Sequence, residues 1–178
     1  MPRSCLALFS GVIFWASAAT AQSPRLGVPP DAALIKAWDI DISPDGTGLP
    51  PGHGSAAEGA RIYEEKCAAC HGERGIGGGA DRLTGGLGTL ATAHPVKTVA
   101  SYWPYATTLF GFVRSAMPIT EPRSLSAHEV YALCAYLLSI DGIVAQDAVL
   151  DQASLPKVVM PNRKGFRDMW EGDKTGMH

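Results

Sequence analysis

Cys67-Ala68-Ala69-Cys70-His71 concentrates the chain's chemistry in five residues. Two thiols spaced by two residues, with an imidazole directly after the second, suit three kinds of site. They can cycle between dithiol and disulfide, supply part of a zinc site, or add across the two vinyl groups of a haem while the histidine reaches the iron. A redox dithiol is expected beside a βαβ pattern, and the segments flanking this run read as helical. A zinc ribbon needs a second C-x-x-C or a histidine pair downstream, and the remaining cysteines, Cys5 and Cys134, are isolated. The run therefore reads as a covalent attachment site for one haem c, with thioethers at Cys67 and Cys70 and His71 as proximal iron ligand.

The elements that must position these groups fit into one compact domain with extensions. The chain has 178 residues, 46% hydrophobic and 18% charged, which suits a single core. Its 20 glycines and 13 prolines gather between Gly27 and Gly54 and between Gly72 and Gly88, predicting ordered loop around the attachment run. At the N-terminus, Arg3, the apolar run Leu6 to Trp15 and Ala19-Thr20-Ala21 read as an export signal cleaved after about Ala21, with Cys5 leaving in the leader. The apolar run falls short of the roughly 20 residues needed to span a bilayer, so no membrane span is expected in the mature chain. Without Arg3 the formal charge is −3, and haem propionates would make it more negative. No basic run is present, which argues against nucleic acid and for a protein partner.

Ser55-Ala56-Ala57-Glu58 has the capping-box pattern and predicts a helix running into Cys67, with Ala56, Ala60, Tyr63 and Cys67 on one face. Gly59 lowers helix stability and marks a close approach by another element. Ser126-Ala127-His128-Glu129 is a second capping box, opening a helix to Ile140 with the apolar stripe Val130, Leu133, Cys134, Leu137 and Leu138. A third helix is predicted over Tyr105 to Ala116, with Leu109, Phe112, Val113 and Ala116 on one face. A shorter turn is predicted after Pro95, and no run has strand alternation. Cys134 reads as a buried, inert thiol.

One helix leading into C-x-x-C-H, short helices, and a last helix closing the core resemble the all-α class I cytochrome c fold. The resemblance implies that the first and last helices cross, with Gly59 and Tyr63 meeting Tyr136. It implies a sixth iron ligand from a methionine ahead of the last helix, and Met117-Pro118 stands there. A thioether opposite histidine favours reduced iron and suits an electron carrier. Met160-Pro161 is a rival, as are His53, His94, His128 and His178, with His94 foremost among the histidines. The family commonly uses a proline carbonyl to hold the proximal histidine. The loop Gly72 to Gly88 has no proline, and Asp81-Arg82-Leu83 occupies its place. Arg82, Trp103 and Tyr105 are candidates for binding the haem propionates, each also readable as a packing or surface residue.

Several stretches are similar to the cytochrome c subunit of sulfane dehydrogenase and to cytochromes allied with sulfite dehydrogenases: Ala37-Trp38-Asp39-Ile40-Asp41, Pro44 to Pro50, Ser101 to Ala106, Ala116-Met117-Pro118, Glu129 to Ala132, Leu155-Pro156 and Pro161-Asn162. That likeness implies a periplasmic electron-transfer subunit, with catalysis at molybdenum on a molybdopterin dehydrogenase subunit and a soluble cytochrome c as acceptor. Larger members carry a second haem domain, whereas this sequence has one C-x-x-C-H. The expected organisation is a leader at 1–21, an extended arm at 22–54, a monohaem domain at 55–142 and a C-terminal extension at 143–178. Arm and tail are expected to wrap the partner or the haem domain, with Trp38, Trp103 and Trp170 as anchors at the interface or in the core. The alternatives are a freely diffusing cytochrome c serving another dehydrogenase or oxidase, and a haem enzyme or gas sensor whose iron is not bound by Met117.

Overall fold

A computed structural model describes residues 27–167; the leader with Cys5, and Trp170 and His178, lie outside the described residues. The chain divides into two units at Lys36 and Ala37. Helix α1 (Ala32–Trp38) lies at that division and opens where the Asp31 carboxylate accepts from the Leu34 amide at 2.7 Å, an Asx cap directly after a proline pair.

From Ala37 onward one core organises the fold. Its order is β1 (His53–Ser55), α2 (Ala56–Lys66), α3 (Ala68–His71), α4 (Val99–Tyr102), α5 (Ala106–Ala116), α6 (Ala127–Ile140) and β2 (Val149–Asp151). Both capping boxes form reciprocally: Ser55 and Glu58 start α2, and Ser126 and Glu129 start α6. Each cap contributes about 1 kcal/mol to helix stability. The turn expected after Pro95 is α4, opened by a Thr98/Ser101 pair of the same kind.

Helix α6 is the centre of the core, and its burial exceeds the predicted stripe. Tyr131, Ala132, Ala135 and Ser139 are buried along with Val130, Leu133, Cys134, Leu137 and Leu138. The reason is that α2, α5, β1 and β2 surround it, so little of its circumference meets water. Cys134 is fully buried with its thiol pushed well above the ordinary range by burial, as an inert core residue should be. In α5 the expected face is corrected: Phe110, not Phe112, enters the core, packed at a tilt against Tyr131 with ring centroids 4.5 Å apart, while Phe112 stays 47% exposed in a T-shaped contact with Trp103.

Helices α2 and α6 cross where Gly59 faces the Ala132 carbonyl, and a Cβ at Gly59 would also lie 2.8 Å from Tyr136 Cβ. One turn on, Tyr63 meets Tyr136 at 5.4 Å between ring centroids, the contact the family resemblance implied. A short antiparallel ladder joins β1 to β2, pairing Gly54 with Leu150. These three-residue strands are too short to show alternation in sequence. The ladder, with Leu49, Leu150, Leu155 and Met160, brings segments before and after the helices into the same core. Tyr131 Oη donates to the Pro50 carbonyl at 2.9 Å, and Gln152 Nε2 donates to the Leu49 carbonyl at 2.8 Å.

Candidate haem-binding site

Cys67 is the residue on which α2 stops and α3 starts. Its amide donates to the Tyr63 carbonyl at 2.8 Å, and its own carbonyl accepts from the amides of Cys70 at 3.2 Å and His71 at 3.0 Å. This single turn brings both thiols and the imidazole together at the end of a capped helix. Gly72 follows at φ 76°, where a β-carbon would run into the Gly77 backbone. Tyr63 Oη donates to the Gly72 carbonyl at 2.9 Å, tying the turn back to the helix crossing. Burial raises the Tyr63 hydroxyl to about 12, so it remains protonated as the donor.

Cys67 and Cys70 are both free thiols. Cys67 is half-buried, and desolvation outweighs the nearby Lys66 charge to push its thiol up to about 11. A redox dithiol needs the reverse, a lowered pKa that provides thiolate. The site is therefore poorly built for disulfide exchange.

The imidazole is held from the loop that follows. His71 Nδ1 lies 2.8 Å from the Asp81 carbonyl oxygen. A carbonyl can only accept, so the proton sits on Nδ1 and Nε2 keeps its lone pair for a metal. This supplies the acceptor in a loop that lacks proline. Any residue's backbone carbonyl can serve, which is why the sequence marks the place without marking the acceptor. Around it the loop is pinned at close intervals. The Ala80 amide donates to the Cys70 carbonyl and the Gly77 amide to the His71 carbonyl, both at 2.8 Å. Arg82 Nε donates to the Ile76 carbonyl at 2.9 Å. Beyond Asp81, the Leu83 amide donates to the Gly75 carbonyl at 2.8 Å, and Asp141 at the end of α6 accepts the Gly85 amide on both carboxylate oxygens at 2.8 and 3.0 Å. Asp141 is the supporting residue that sequence reasoning missed, because 56 positions separate it from Gly85.

Met117 caps the C-terminal end of α5, its amide donating to the Val113 carbonyl at 3.1 Å, and its side chain is half-buried against the core. Met160 is 1% exposed and packs in the core with Leu155. His53 and His94 are exposed, and His128 Nε2 lies 3.6 Å from Glu58 Oε1 on the surface. Of the propionate candidates, Arg82 is engaged through Nε with Ile76, Trp103 packs edge-on to Phe112 at 5.6 Å, and Tyr105 lies under the Arg163 guanidinium at 4.3 Å. The residues suit a haem: two free thiols, an imidazole with its tautomer set, and half-buried apolar side chains of Cys67, Ala68, Leu83, Trp103 and Met117 that rest on the core.

Residues 54–137 match the family model described as Cytochrome C oxidase, cbb3-type, subunit III. The chain belongs to the class I c-type cytochromes and binds haem c. More particularly, it is similar to a chain of the crystal structure of the sulfane dehydrogenase SoxCD from Paracoccus pantotrophus, with 38% identity and a TM-score of 0.78 over 87% of this chain and 76% of that one. No curated protein sequence matches it at a significant level.

Proposed function

We propose that the chain carries one covalent haem c and relays electrons from a molybdenum-dependent dehydrogenase of sulfur compounds to a soluble cytochrome in the periplasm. In this reading Cys67 and Cys70 would form the thioethers, His71 Nε2 and the Met117 thioether would ligate the iron, and the leader is removed after about Ala21. The haem contributes one-electron chemistry. The chain's residues set its terms: the Asp81 carbonyl fixes the His71 tautomer and leaves Nε2 to ligate, while a methionine ligand shifts the balance toward reduced iron. A molybdenum site releases two electrons per turnover, so a one-haem subunit must accept, pass on and accept again.

The observation that carries this reading is the 2.8 Å contact between His71 Nδ1 and the Asp81 carbonyl, directly after two unpaired thiols. The likeness to SoxCD supports the choice of partner, and among the described residues no helix is long and apolar enough to cross a membrane. The test mixes the oxidised holo-protein with a purified molybdenum sulfur dehydrogenase subunit and its substrate. Reduction of the haem within the turnover time of the dehydrogenase, followed by reoxidation on adding a soluble cytochrome c, is the expected result. Reduction no faster than without the dehydrogenase, while another dehydrogenase reduces it readily, would reject the sulfur partner and leave a general carrier.

A further inference from the structure

A cavity of about 220 Å³ opens between the end of α5, the loop that follows it and the start of α6. Its walls carry two guanidiniums, Arg114 and Arg123, on an apolar floor of Ile40 and Leu125. Among the described residues, no carboxylate lines it. Neither arginine forms an ion pair among the described residues, where the two pairs are Lys66 with Glu129 and His128 with Glu58. Two like charges lining one cavity repel, so the arrangement favours an anion between them.

Ala127, which lines the cavity, is the first residue of α6, whose N-terminal end is already met by the Ser126 hydroxyl and the Glu129 carboxylate of its capping box, so the two arginines carry the argument for an anion. Ser115 also lines it, but its hydroxyl already donates to the Gly111 carbonyl at 2.7 Å, so the guanidiniums are left as the principal donors. Arg114 sits in the last turn of α5, where a cation is favoured by the helix dipole alone. Arg123 has no such explanation. It lies in a loop at φ 66°, a left-handed conformation that disfavours every residue but glycine.

We propose that this cavity is a binding site for a small divalent oxyanion of the sulfate type, held between the Arg114 and Arg123 guanidiniums. Its volume is below the about 300–1,000 Å³ typical of sites for drug-sized ligands, which points to an ion in place of a larger organic molecule. Two planar guanidinium forks match the several acceptor oxygens of such an anion. The site draws on no feature of the haem or its electron source, so it stands or falls apart from the function proposed above.

The test is isothermal titration of the holo-protein with sodium sulfate at fixed ionic strength, with sodium chloride as the comparison. Heat of binding is the readout because sulfate raises melting temperatures of proteins generally through exclusion from their surfaces. One saturable site for sulfate is expected, weakened by about tenfold or more in Arg123→Gln and in Arg114→Gln, and unchanged in Lys97→Gln. Arg123 is exposed on a loop, so its variant should fold and decides the matter even if the half-buried Arg114 variant does not. Absence of a saturable heat, equal binding of chloride, or equal affinity in Arg123→Gln and the wild type would overturn the proposal.

Discussion

Glycine to alanine at two helical positions should move stability in opposite directions. In an open helix the change is stabilising by about 1 kcal/mol, since alanine is the better helix former. Gly111 in α5 meets that condition: the added Cβ would have only Ile42 atoms near it, at 3.8 and 3.9 Å, which is ordinary contact. Gly59 in α2 does not. There the Cβ would overlap the Ala132 carbonyl and lie 2.8 Å from Tyr136 Cβ, so relief requires moving the α6 backbone and cannot come from turning a flexible side chain. Overpacking of this kind costs about 1–3 kcal/mol, and a backbone obstacle belongs at the upper end. Subtracting the propensity gain leaves Gly59→Ala destabilised by about 2 kcal/mol, while Gly111→Ala gains up to about 1 kcal/mol. In a chain of this size each kcal/mol moves the melting temperature by about 2–4 °C. Thermal unfolding of the holo-variants, followed by helical circular dichroism, should show Gly59→Ala falling by about 4–8 °C and Gly111→Ala rising by up to about 4 °C. Equal shifts in the two variants would refute the inference that α2 and α6 are in backbone contact at Gly59.

Met117→Ala should abolish the sulfur-to-iron charge-transfer band of the oxidised protein and allow carbon monoxide to bind rapidly to the reduced form; persistence of the band would remove Met117 from the iron. Asp141→Ala should cost about 1–3 kcal/mol in denaturant unfolding, because the Gly85 amide loses a charged acceptor. Glu129 is held down to about 2, chiefly by its bond to Lys66 and then by the Ser126 amide. Its folded pKa lies below the unfolded value, so its contribution is present above about pH 4.5 and disappears as pH falls toward 2. Glutamine still serves a capping box, so Glu129→Gln should flatten that part of the stability profile while keeping α6. An unchanged profile would show that the Lys66 pair has no part in acid unfolding.

What the sequence disclosed follows the range over which each interaction acts. Both capping boxes and the C-x-x-C-H turn use residues within three or four positions of one another, and those spacings are visible without a fold. The crossing of α2 and α6 was legible for a different reason: a glycine inside a helix is costly, so Gly59 advertised a close neighbour, and the family resemblance supplied Tyr136. Phe110 and Phe112 show where periodicity fails. Both lie near the edge of the apolar face of α5, and only the position of Tyr131 on another helix decides which ring is buried.

The acceptor for His71 was narrowed only to the stretch Asp81-Arg82-Leu83, for a deeper reason. It is a backbone atom, so side-chain identity carries almost no information about it, and what places Asp81 is the path of the loop. That path is set by bonds that are themselves long in sequence, with Gly85 held by Asp141 at the far end of α6 and the Thr98 hydroxyl donating to the Gly85 carbonyl at 2.7 Å. The tautomer of His71 thus depends on the last helix being docked, and so on Gly59 remaining glycine. If this coupling is physical, Gly59→Ala should disturb the haem's ligand-sensitive spectrum as well as the stability, whereas Gly111→Ala, which leaves the α2–α6 crossing intact, should leave the spectrum unchanged.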